Sequence, residues 1–83
     1  MATVYPLDPP RSGETAAFAI HPDGPRRTLT AQDDDWWTTD TVGGVQSEVR
    51  RTENGFSVLT TTGKAKVESE WGTWREAMIH GLV

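Results

Sequence analysis

Eighty-three residues leave room for one small domain, because a chain of this size does not divide into two units that each bury a core of their own. Hydrophobic residues make up 35% and charged residues 24%, a balance suited to a folded soluble chain and poorly suited to a disordered tail or a membrane protein. The absence of cysteine excludes disulfides, thiolate nucleophiles, thiolate zinc sites and iron-sulfur clusters; the first residues lack the basic and apolar regions of a signal peptide, so a cytoplasmic location is expected.

The net charge of -4 belongs to one half of the chain. Up to Thr41, seven acids (Asp8, Glu14, Asp23, Asp33, Asp34, Asp35, Asp40) face three arginines (Arg11, Arg26, Arg27), whereas the five acids and five bases beyond it cancel. Nucleic-acid binding draws on a basic surface that neutralises phosphates, and neither half has such an excess. The charge favours a protein partner.

All five prolines (Pro6, Pro9, Pro10, Pro22, Pro25) lie in the first 25 residues, and proline also pushes its predecessor toward extended geometry. Residues 1–13 therefore read as an extended arm preceding a single domain over 14–83. Residues 15–21, TAAFAIH, form a candidate strand with Phe18 and Ile20 on one face. Pro22-Asp23-Gly24 then supplies a turn, and a returning strand runs over 27–31. From Gln32 to Gly44 neither period is sustained, so this stretch reads as a loop with a short extended piece at 36–39 and with Gly43-Gly44 as a flexible joint.

Beyond Gly44 the pattern sharpens. Asn54-Gly55 is a strong hairpin signal. With these two as the loop residues, Arg51 falls opposite Val58 and Val49 opposite Thr60, and Val45, Val49, Phe56 and Val58 share one face. Gly63-Lys64 makes a second tight turn with glycine at positive φ, and a third strand over 65–71 places Val67 opposite Thr60 and Trp71 opposite Phe56. Thr73 as N-cap and Glu76 three residues on make a capping box, after which Trp74, Ala77, Met78 and Leu82 recur at helical spacing. A helix of about nine residues is unstable alone in water, so it must bury that stripe on the sheet. The expected fold class is α+β: a small three-stranded antiparallel meander, extended by the N-terminal hairpin, with one C-terminal helix packed on one face. A thin sheet of this kind leaves one face open and an edge exposed, which also suits a homodimer.

Over residues 45–83 this outline resembles the arm-binding domains of tyrosine integrases and a plant family of DNA-reading modules. The resemblance is one of topology, and it implies side chains reaching a DNA groove from the exposed sheet face. That face would carry Glu48, Arg50, Ser57, Leu59, Lys66, Glu68 and Glu70, two bases against three acids, which is a poor phosphate surface.

Candidate chemistry is sparse. His21 lies beside a turn and His80 on the polar side of the helix, neither with the neighbours of an activated nucleophile, so no enzymatic activity and no cofactor are expected. Asp33, Asp34 and Asp35 are contiguous, unlike the alternating acids of a calcium loop, and are read as solvated charge with no metal. Trp36 and Trp37 lack a place in the expected core, and if extended they point to opposite faces. Asp33, Asp34, Asp35, Trp36, Trp37 and Asp40 thus form the candidate partner-binding patch, with an indole as anchor and the acids steering approach. The expected role is a small acidic non-catalytic protein-binding module, suited to a bacterial or phage accessory or inhibitor protein. The alternatives are a nucleic-acid-binding sheet and an acidic DNA mimic.

Overall fold

The computed structural model describes residues 4–82 and arranges them around a single antiparallel sheet whose six strands follow one another in chain order. They are β1 (Thr15–Phe18), β2 (Arg27–Asp33), β3 (Trp36–Thr39), β4 (Val45–Thr52), β5 (Gly55–Thr62) and β6 (Ala65–Trp71). A short helix, α1, begins at Trp74–Glu76 and widens over Ala77–Gly81, where the Leu82 N–H reaches back five residues to the Ala77 carbonyl.

The expected three-stranded meander is therefore corrected to a six-stranded one. The N-terminal hairpin is present, with Phe18 opposite Arg27 and a turn closed by Gly24 N–H on the His21 carbonyl. What joins it to the rest is β3, which pairs with β2 through Ala31 and Trp37 and with β4 through Trp37 and Val49. The extended piece expected at 36–39 is thus a full strand in the middle of the sheet, while Gln32 and Asp33, expected in a loop, belong to β2. Gly43-Gly44 is no flexible joint either. Both glycines hold positive φ, 60° and 78°, in a two-residue turn across which Val42 and Val45 exchange both backbone bonds. With three further strands hydrogen-bonded to it, the meander loses the outline on which the DNA-module resemblance rested.

The two C-terminal turns were read with unequal accuracy. Gly63, at φ 58°, opens the second turn, and Thr60 does pair with Val67 and Phe56 with Trp71. In the first, the loop residues are Glu53 and Asn54, not Asn54 and Gly55: Gly55 pairs with Thr52, and Arg51 falls opposite Phe56 and Val49 opposite Val58. Gly55 is needed there for another reason, since a Cβ would collide with the Trp71 carbonyl oxygen. The error shifts the register by two residues, one full side-chain period, so every assignment to a face survives.

One face is covered. Phe18, Leu29, Ala31, Trp37, Val49, Phe56 and Val58 project from the strands and meet Trp74, Ala77, Met78 and Leu82 from the C-terminal segment. Thr73 caps α1 as expected, its hydroxyl oxygen accepting the Glu76 N–H at 3.1 Å. Gly81 lets the helix approach closely, because a Cβ there would fall 2.7 Å from Val58 Cγ2. Trp37, Phe56 and Trp74 form an aromatic trio with centroids 5.0 to 5.9 Å apart. Tilted pairs of this kind contribute about 0.5–1.5 kcal/mol each beyond the area they bury. The helix alone does not close this face. Residues preceding β1 run across it, with Val4 bridged to Ala19, the Pro10 carbonyl accepting the Trp37 Nε1–H at 2.8 Å and the Pro6 carbonyl accepting the Trp74 Nε1–H at 2.9 Å.

Candidate functional site

The six residues singled out in the sequence do not form one patch. β3 is extended, so Trp36 and Trp37 point to opposite faces. Trp37 is fully enclosed in the aromatic trio and has no surface to offer a partner, which corrects its candidacy as an anchor. Asp40 serves the fold: its carboxylate stands 3.4 Å from Arg27 Nε and accepts the Thr28 N–H, while its carbonyl accepts from Arg27 Nη2 at 2.7 Å. Arg27 is 8% exposed and lies over the Phe18 ring, so this cluster holds a charge within the covered face.

Asp33, Asp34 and Asp35 make up the tip of the β2–β3 hairpin and are also occupied locally. Asp33 Oδ1 accepts the Asp34 N–H, Asp34 Oδ1 accepts the Ser12 N–H at 3.1 Å, and Asp35 pairs with Arg51 Nε at 2.8 Å. They pin the hairpin to the N-terminal segment and to β4. Of the two indoles, Trp36 stands on the face that α1 leaves open, registered opposite Asp33 of β2.

Cross-strand pairing sets what surrounds it. Trp36 lies opposite Arg50, Arg50 opposite Ser57, and Ser57 opposite Glu70; in the next row Thr38, Glu48, Leu59 and Glu68 follow one another. Arg50 Cζ sits 4.7 Å from the Trp36 ring centroid, and its Nη2 is 2.7 Å from Glu48 Oε1. A guanidinium held between an indole and a carboxylate is an amphipathic surface feature worth about 0.5–1 kcal/mol as a cation–π contact. Beneath it, Trp36 Nε1 is shut away from solvent and has no hydrogen-bond acceptor among the described residues. A buried donor left unsatisfied costs about 1–3 kcal/mol. The open face thus has a half-buried aromatic centre with an unpaired donor, a half-buried Leu59 beside it, and Glu48, Glu68 and Glu70 around Arg50 and Lys66.

His21 is exposed beside the first turn, and His80 stacks on Trp71 with centroids 5.4 Å apart. Neither is hydrogen-bonded to a hydroxyl or carboxylate among the described residues. No group of three or more potential metal ligands comes together among them, and none of their helices is long and apolar enough to cross a membrane.

Sequence reasoning found Trp36 but missed its partners. The sequence puts Arg50 and Leu59 on the open face and an extended piece at 36–39, but with no partner strand assigned to that piece Trp36 is not paired with them. Once β3 is a strand, the cross-strand register brings the three together. No protein-family model matches the chain, and neither a curated protein nor a solved structure does.

Proposed function

We propose that the protein is a small non-catalytic binding module that docks another protein on the open face of its sheet, with Trp36 as the anchor. The observation that carries this reading is the Trp36 indole N–H, enclosed and without an acceptor among the described residues, on a face that none of them covers. A partner that reaches past the exposed Arg50 with a backbone carbonyl or a side-chain oxygen satisfies this donor and gains the indole and Leu59 as apolar contact. Charge sets the kind of partner. Glu48, Glu68 and Glu70 outnumber Arg50 and Lys66 on this face, and the chain as a whole carries -4, so a basic surface with an apolar centre is complementary.

Nucleic acid fits the same face less well, because Arg50 is already paired with Glu48 and leaves Lys66 to meet phosphates. A DNA mimic would present closely ranked free carboxylates, whereas Asp34, Asp35 and Asp40 are spent on Ser12, Arg51 and Arg27.

The test is capture from source cells with wild type, Trp36→Ala and Leu59→Asp, followed by chemical-shift mapping with the captured protein once purified. Loss of one basic partner in both variants, with shifts centred on Trp36, Arg50 and Leu59, is expected. Retention of that partner by folded variants, or shifts confined to the covered face, rejects the reading. Binding of random duplex DNA by the purified chain at low salt transfers it to nucleic acid.

A further inference from the structure

Strand β6 ends the sheet. Among the described residues it pairs with β5 alone, and all of its positions except Ser69 and Trp71 are exposed. Thr62 and Ala65 close a two-residue turn, which places a hydrogen-bonded pair at the start of the ladder. By alternation, Lys66, Glu68 and Glu70 turn their backbone N–H and C=O groups away from β5. Seven residues long, this edge is a ready template for another strand. It also carries Val67, which points to the covered side of the sheet but lies beyond the reach of α1 and remains 67% exposed.

We propose that β6 is a self-complementary edge that pairs antiparallel with β6 of a second copy of this chain, about a two-fold axis passing between the two Val67 residues. The charge order along the strand selects this register. With Val67 opposite Val67, Lys66 of each copy faces Glu68 of the other and Lys64 faces Glu70, giving four opposite-charge pairs, while Ala65 faces Ser69. A shift by one pairing step in one direction sets Glu68 against Glu68, and in the other Lys66 against Lys66. Both neighbouring registers put like charges on the two-fold axis, so the one register that buries Val67 against its copy is also the one the charges favour. The same arrangement leaves Val67 at a pair without mutual backbone bonds, where facing side chains stand closest.

The resulting twelve-stranded sheet has its two Trp36 surfaces on the same continuous face, so dimerisation leaves Trp36, Arg50 and Leu59 of both copies uncovered while drawing Lys66, Glu68 and Glu70 into the seam. This inference stands independently of the proposed partner, because β6 can pair whether or not Trp36 binds anything.

Sedimentation equilibrium on the full chain tests it. Wild type is expected to dimerise reversibly with rising concentration and to dissociate as salt is added. Lys64→Glu/Lys66→Glu and Glu68→Lys/Glu70→Lys are each expected to weaken the dimer about tenfold or more, and an equimolar mixture of the two variants to recover it as a heterodimer. All four side chains are exposed, so circular dichroism should report an unchanged fold. As a second probe, Glu68→Pro removes an outward N–H without touching the β5 ladder and should leave a folded monomer. A wild type that stays monomeric at millimolar concentration, or a dimer indifferent to charge reversal on either side, overturns the proposal.

Discussion

Trp36 and Trp37 are neighbours in one short strand, yet the two faces of the sheet treat them differently. Trp37 is fully enclosed and donates its indole N–H to the Pro10 carbonyl, and on the same side Trp74 donates to Pro6 and Trp71 to Ser69. On the other side Trp36 is capped by the Arg50 guanidinium and its N–H has no acceptor among the described residues. The arginines repeat the contrast. Arg27, on the covered side, is held by two carbonyls and a carboxylate, whereas Arg50 lies 57% exposed with Glu48. The indole donors of the covered face are all paired within the fold, whereas that of Trp36 has no acceptor among the described residues.

This contrast predicts a graded series. Trp37→Ala should be the most damaging, losing about 3–5 kcal/mol in urea unfolding, as expected for a large aromatic taken out of a packed core. A loss below that of Trp36→Ala would invert the comparison. Arg27→Ala comes next, at about 2–4 kcal/mol, because it removes packing on Phe18 and strips partners from Asp40 and from the Val45 carbonyl. Arg50→Ala should cost no more than about 1 kcal/mol, since its contacts are solvent-facing. Smallest of all is Trp36→Phe, expected to be neutral or to raise the midpoint slightly, because it deletes the unsatisfied donor while keeping an aromatic ring. A clear destabilisation by Trp36→Phe would mean that the N–H has a partner, and the docking argument would go with it.

The same two faces explain how much was legible in the sequence. From Val45 to Leu82 apolar residues alternate with polar ones and the glycine turns punctuate them, so strands, faces and helix stripe could all be read. The N-terminal half hides its pattern because polarity and burial part company there. Thr39 is polar but buried, its hydroxyl oxygen accepting the Ser47 N–H at 2.9 Å, and Trp36 is apolar but open. WWTT therefore has no visible period although its side chains alternate as in any strand. Ser47 and Thr60 add to the effect, joined by a hydroxyl pair at 3.1 Å within the covered face. Gly43-Gly44 did hold a usable signal, since two adjacent glycines suit the turn that demands positive φ twice. Of the candidate patch, Trp37 is lost to the core and Trp36 keeps its place, a split that the opposite facing of strand neighbours requires and that the sequence alone leaves undecided between the two.

The bond from Trp74 to the Pro6 carbonyl spans 68 residues and bears on how the covered face is closed. Residues before β1 already have nearer partners, Val4 on Ala19 and Pro10 on Trp37, so the Pro6 contact is the one that also requires the start of α1 to be in place. A contact of such long sequence separation closes the largest loop among the described residues, so weakening it is expected to loosen the seal over the covered face while sparing the local hairpins.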